Sequence, residues 1–170
     1  MWKVFGLIVF AAIFDTGFAN FSNFDGREPQ VAPILIADDF SDRVPEDQHP
    51  TGQFTTATEI KPILDITRAS WIAVRLYEGQ DLLYFTHLLS WRCGLWDIRY
   101  GINGAPAETS FPTEACHEGT STPNAMSDIE NFLPYVSFDA KSIDSVTIEL
   151  FYDDGTMDSA EFVREAVLIQ

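Results

Sequence analysis

The feature that most constrains the fold is an alternation of apolar and polar residues with a period of two. It recurs in short segments, at residues 70–77, 82–93, 95–102 and 146–152. Each segment predicts a strand with one face toward a core. Asn103-Gly104 and Asp154-Gly155 supply turn signals at the ends of two of these strands.

Three further segments extend the β interpretation. Residues 60–66 and 135–138 are predicted to be strands, and residues 161–169 are predicted to return as a hairpin strand, with a helix as the alternative. Together these segments predict an all-β chain: a single small antiparallel β-sandwich. An immunoglobulin-like layout is one version of this fold, although the usual spacing of two cysteines around a central tryptophan is absent.

The N-terminus has the three-part layout of a secretory signal peptide. Lys3 supplies a positive charge, an uncharged apolar run covers residues 4–14, and Gly17 and Ala19 are the small residues that precede a cut. The apolar run is too short to span a membrane, which takes about 20 residues. We therefore predict a signal peptide over residues 1–19, and a periplasmic or secreted protein with no membrane span after cleavage.

The remaining chain divides in two by composition. Residues 20–57 are acidic and rich in proline, which predicts an irregular arm. An apolar patch at residues 31–36 could add an edge strand there, since Pro33 cannot donate to a central ladder. Residues 58–170 form the predicted β-rich domain.

The two cysteines, Cys93 and Cys116, are the only ones in the sequence. An even cysteine count in an exported protein predicts a disulfide. This bridge would tether the long, proline-containing segment 105–142. Free thiols and an intermolecular bridge are the alternatives.

The formal net charge of −16 makes nucleic acid an unsuitable partner, because nucleic-acid-binding proteins carry basic surfaces. Such acidity favours solubility and permits a cationic partner. No sequence pattern indicates a cofactor.

Residues 68–99 depart from this acidity, with four arginines against three acidic residues. By strand parity, one set of side chains within this segment is expected to lie off the core face: Trp71, Arg75, Tyr77, Tyr84, Arg92 and Arg99. Arginine with tyrosine and tryptophan is typical of interfaces and of carboxylate recognition. The alternative is that these arginines pair with nearby acids and the rings cover a second sheet.

Two weaker candidates remain. His87 falls on the apolar face of its predicted strand, where a histidine is either a core residue or a catalytic base. A group of carboxylates near a turn, Asp153, Asp154, Asp158 and Glu161, contains the oxygen ligands that calcium prefers, but without the spacing of a known calcium loop.

These observations favour a non-enzymatic binding or accessory module that holds a protein partner or an anionic ligand at the arginine-aromatic face. A small secreted or periplasmic hydrolase that uses His87, or acidic residues near the segment 105–142, is the first alternative. A calcium-stabilised structural module is the second.

Overall fold

A computed structural model describes Phe40 and residues 42–170. The signal peptide predicted over 1–19 and the edge strand predicted over 31–36 lie outside the described residues. The helices and strands follow in chain order: α1 Ala57–Ile66, β1 Ala73–Tyr77, β2 Gln80–Tyr84, α2 Thr86–Leu89, β3 Leu95–Ile102, β4 Thr109–Ser110, β5 Tyr135–Asp139, β6 Ser145–Tyr152, β7 Met157–Val163, α3 Arg164–Val167 and β8 Leu168–Ile169.

Strands dominate these elements and form two sheets of four. The first sheet has the order β5-β2-β1-β8, and the second has the order β4-β3-β6-β7. Every strand pair is antiparallel except β1 with β8, which is parallel. The all-β prediction is confirmed at this level, as two antiparallel-rich sheets with few helices.

Both sheets contribute to one hydrophobic cluster. Strand β6 shows the reason most clearly, because its residues alternate strictly between buried and half-buried positions. Ile148 and Leu150 are completely buried, whereas Glu149 and Phe151 point the other way. Val74 of β1 and Leu83 of β2 bring the first sheet into the same cluster.

The strand predicted over 60–66 is wrong, because these residues form helix α1. Ala57, Ile60 and Leu64 recur at helical spacing and are completely buried. The carboxylate of Asp153 accepts a hydrogen bond from the backbone N–H of Ala57 at 2.8 Å, which satisfies a donor at the start of the helix. Pro62 lies inside the helix, so buried contacts override its low helix propensity.

The strand predicted over 82–93 ends early, at Tyr84. Phe85 leaves the sheet, and its ring stacks on Phe111 with centroids 4.1 Å apart. The chain then forms α2 and a 3-10 turn, Arg92–Gly94. The backbone at Gly94 lies so close to Thr56 that only glycine fits. A Cβ atom at this position would come within 2.9 Å of the carbonyl carbon of Thr56.

The C-terminal segment 161–169 is neither one strand nor one helix. Strand β7 ends at Val163, Arg164–Val167 make a single helical turn, and Leu168–Ile169 join the other sheet beside β1. The chain therefore crosses from the second sheet to the first within these residues.

Candidate functional site

The structure separates the six residues of the predicted arginine-aromatic face. The prediction that Trp71 lies off the core face is wrong. Trp71 precedes β1, is completely buried, and donates through Nε1 to the carbonyl of Leu64 at 2.8 Å. Strand parity misplaced it because the strand begins only at Ala73. The same prediction is wrong for Arg92, because only 4% of its surface is exposed.

Arg92 holds the long segment that follows β4. Its Nε donates to the carbonyl of Glu114 at 2.7 Å, and its Nη2 donates to those of Ala115 and Ala125 at 3.1 Å each. Nη1 also donates to the carbonyl of Asn124. A guanidinium presents five N–H donors in a planar fork, so one side chain can fix several carbonyls at once.

The disulfide ties the same segment. Cys93 and Cys116 are bonded, with their Cα atoms 5.2 Å apart. This confirms the predicted bridge. Because Cys93 is next to Arg92, the covalent bond and the guanidinium anchor the loop at the same place.

Arg75, Tyr77 and Tyr84 lie on the outer face of the first sheet. Arg75 pairs with Leu82 in the register, and Tyr84 pairs with Ala73, so these side chains share a face. The guanidinium of Arg75 is 5.3 Å from the ring centroid of Tyr77.

Arg99 lies on the other sheet, where it lines an open groove of about 390 Å³. Its guanidinium lies 4.2 Å from the ring centroid of Phe151 and 5.0 Å from that of Phe40. Arg43 lies 4.6 Å from Phe40 and 5.7 Å from Trp96. We call these five residues the Arg–aromatic groove.

Polar contacts orient the groove. Arg99 Nε donates to Asp97 Oδ2 at 2.8 Å, and the hydroxyl of Ser110 donates to the same oxygen at 2.7 Å. Trp96 Nε1 donates to Glu46 Oε1 at 2.9 Å. These hydrogen bonds fix one edge of the Arg99 guanidinium and one edge of the Trp96 ring. The flat faces of both groups pack against the other side chains of the groove.

Sequence reasoning missed Phe40 and Arg43, which belong to the acidic arm. They lie more than 50 residues before Trp96, so strand parity could not place them together. The available signal was local: an aromatic and a basic residue three apart within a run of acidic residues.

His87 lies on α2 rather than on a strand, which corrects its predicted position. Its Nε2 is 2.8 Å from Thr67 Oγ1, and burial lowers the pKa of the imidazole. This contact supports the interpretation of His87 as a hydrogen-bonded packing residue.

The predicted calcium carboxylates do not meet at one point. Asp154 pairs with Lys61, and Asp158 accepts from the hydroxyl of Tyr152 at 3.0 Å. Asp153 caps α1, and Glu161 lies on the opposite face of β7 from Phe162. Among Phe40 and residues 42–170, no group of three or more His, Cys, Asp or Glu side chains could hold a metal ion.

Another cluster, in the segment that follows β4, contains a serine, a histidine and an acidic residue that were not predicted to form a site. His117 Nε2 is 2.8 Å from Glu114 Oε1 and 3.2 Å from Ser127 Oγ. In a catalytic triad the acid binds the nitrogen that does not face the serine. Here both groups meet Nε2, and the Ser127 hydroxyl donates directly to Glu114, lowering the pKa of that carboxyl to about 2. The cluster therefore stabilises the loop.

Comparison with known proteins finds no matching family model, no similar curated protein and no similar solved structure. Within the described part of the chain, none of the helices has the length and apolar character to cross a bilayer. Function must therefore be inferred from the site geometry.

Proposed function

We propose that this chain is an exported, non-enzymatic binding module whose two sheets pack face to face as a sandwich. The signal-peptide pattern at residues 1–19 and the Cys93–Cys116 disulfide support export, because disulfides form in oxidising compartments. The single hydrophobic cluster shared by both sheets supports the sandwich.

The Arg–aromatic groove is the proposed binding surface. The observation that carries this proposal is that the guanidiniums of Arg43 and Arg99 both lie over the ring of Phe40, at 4.6 and 5.0 Å from its centroid. Stacking holds a flexible guanidinium in place, so less conformational entropy is lost when a partner binds. Arginine and tryptophan are also the side chains that contribute most to protein interfaces.

The chemistry of the groove indicates the kind of partner. The rings of Trp96 and Phe151 provide apolar area, and the two guanidiniums, of which that of Arg99 also pairs with Asp97, provide N–H donors. A segment of a protein that carries a carboxylate beside an apolar side chain complements both features.

Site-specific photocrosslinking tests this proposal. A photoreactive phenylalanine analogue replaces Trp96 in one sample and Tyr77 in the other, and each protein is exposed to the native extracytoplasmic fraction. We expect one protein to crosslink from position 96 and not from position 77. Calorimetry with that purified partner should then show binding about tenfold weaker for Arg99→Ala, the loss of one charge-assisted contact.

Arg75→Ala is the matched control, because Arg75 also stacks on a ring but lies on the other sheet. Its affinity should equal that of the unaltered protein. If Arg75→Ala abolishes binding and Arg99→Ala does not, the binding surface is the first sheet and the groove proposal is wrong. Crosslinking from neither position would also overturn it.

A further inference from the structure

A second cleft, beside the start of α1, has a different chemistry. It has a volume of about 510 Å³ and is lined by residues 46–56, by the disulfide and by part of the loop that Arg92 anchors. Four carboxylates line it: Glu46, Asp47, Glu118 and Asp153. Its described lining residues include no lysine or arginine, and the histidine among them, His49, pairs with Asp47 at 2.6 Å.

Asp153 is the unusual member of this set. Only 2% of its surface is exposed. Its Oδ1 accepts from Ala57 N and from Gln48 Nε2, both at 2.8 Å. Its Oδ2 is buried and has no hydrogen-bond partner among the described residues.

A buried carboxylate oxygen without a donor is unfavourable, so a proton or a donating ligand at Oδ2 would stabilise Asp153. Burial raises the pKa of Asp153, and the negative charge of Glu46 adds to this effect. A cation in the cleft would relieve both the desolvation and the repulsion.

We propose that this cleft binds a primary ammonium group, which donates a hydrogen bond to Oδ2 of Asp153 when the contacts that cover this buried oxygen open. An ammonium has three donors and one positive charge, so it can satisfy Oδ2 while it interacts with Glu46 or Glu118. The group can belong to a lysine of a partner protein or to a free amine. This inference does not rest on the Arg–aromatic groove, which adjoins the cleft through the hydrogen bond from Trp96 Nε1 to Glu46.

Putrescine is the first probe, and the 13Cγ chemical shift of Asp153 is the readout. We expect a saturable shift with putrescine and none with butane-1,4-diol, which has the same length without charge. Tetramethylammonium has charge without an N–H donor, so it should not produce the shift. A general attraction of cations to an acidic protein would instead make the two cations equivalent.

Two variants make the test specific. Asp153→Asn keeps an oxygen for the N–H of Ala57, so the helix cap is retained, and it should weaken putrescine binding about tenfold or more in calorimetry. Glu118→Gln changes only the exposed rim and should weaken binding less. Circular dichroism confirms that both variants are folded.

Nα-acetyl-lysine methylamide distinguishes the sources of the ammonium group. Tighter binding than putrescine supports a partner lysine, and weaker but saturable binding supports a free amine. No saturable shift with either probe, or equal affinity in Asp153→Asn, would overturn the proposal. Asp153 would then be a helix cap whose second oxygen carries a proton.

Discussion

Arg164→Ala is the substitution that tests the fold most directly. Asp81 lies on the core side of β2 and is completely buried. Arg164 Nη1 and Nη2 donate to its two oxygens at 2.5 and 2.7 Å, and Nη1 also donates to the carbonyl of Ile143 at 2.8 Å. Since β2 belongs to the first sheet and Arg164 follows β7 of the second, the ion pair connects the two sheets.

Removal of Arg164 leaves a carboxylate buried without its cation. Breaking such a pair costs about 3–5 kcal/mol of unfolding free energy, well above the value of a surface ion pair. The internal comparison is Arg68→Ala. The pair of Arg68 with Asp158 spans 3.4 Å, and both side chains are more than a third exposed, so loss of the pair should cost about 0–1 kcal/mol. Arg68 also donates to the carbonyl of Ser159 at 2.9 Å and lies over the ring of Trp71, so Arg68→Ala should cost about 1–2 kcal/mol in total, still less than Arg164→Ala.

Urea unfolding measured by tryptophan fluorescence gives both values, provided that the transitions are two-state and the m-values agree. A double replacement, Asp81→Leu with Arg164→Met, should recover most of the stability, because apolar residues remove the buried charge as well as its partner. If Arg164→Ala costs no more than Arg68→Ala, the pair does not hold the sheets together and this reasoning is refuted.

The pH dependence gives a second test of the same pair. The hydrogen bonds from Arg164 lower the pKa of Asp81 to about 2, below the ordinary aspartate value of about 3.9. A lowered pKa in the folded state means that the pair stabilises the protein above the ordinary pKa and that this stability is lost as pH falls toward 2. The difference between the unaltered protein and Arg164→Ala should therefore shrink between about pH 4 and pH 2.

Three further substitutions have expected costs that urea unfolding can measure. Arg92→Ala removes the donors of four loop carbonyls, and should cost about 3 kcal/mol or more. Replacement of Cys93 and Cys116 by serine opens the loop that the disulfide closes, which the chain-entropy model values at about 3 kcal/mol. Gly101→Ala places a Cβ atom against the carbonyl oxygens of Ala105 and Pro106, so it should cost about 1–3 kcal/mol.

Each of these expectations has a result that contradicts it. Arg92→Lys retains the charge without the planar fork, so full stability in that variant would show that the carbonyl contacts are unimportant. If the serine variant is as stable as the oxidised unaltered protein, the disulfide is unimportant and Arg92 alone holds the loop. A Gly101→Ala variant as stable as the unaltered protein would show that the backbone at Ala105 moves freely.

The sequence predicted those strands whose alternation and turn chemistry agree. Strand β3 matches the predicted range 95–102, and it ends at Asn103-Gly104, where both residues have positive φ. Strand β6 covers the range predicted from 146–152 with one added residue. In both strands the local preference and the burial of one face specify the same structure.

The failures came from contacts between distant parts of the chain. Residues 82–93 continue to alternate after Tyr84, but the ring of Phe85 stacks on Phe111, and the chain turns into α2 directly afterwards. Arg92 is buried only because carbonyls that lie 22–33 residues later surround it. Neither contact leaves a local signal in the sequence.

The surroundings of each arginine decide what its substitution can report about binding. Arg92 and Arg164 are surrounded by carbonyls or by a buried carboxylate, so their substitution must disturb folding and binding together. Arg99 instead rests on the outer face of a sheet whose opposite face carries the core residues Ile98 and Leu150. Its truncation leaves that core intact but removes the cation from Asp97, whose side chain is only 10% exposed, so we expect Arg99→Ala to lower the free energy of unfolding as well as the affinity. Arg99→Lys keeps a cation beside Asp97 and removes only the planar guanidinium, so it is the substitution that separates a loss of affinity from a loss of stability.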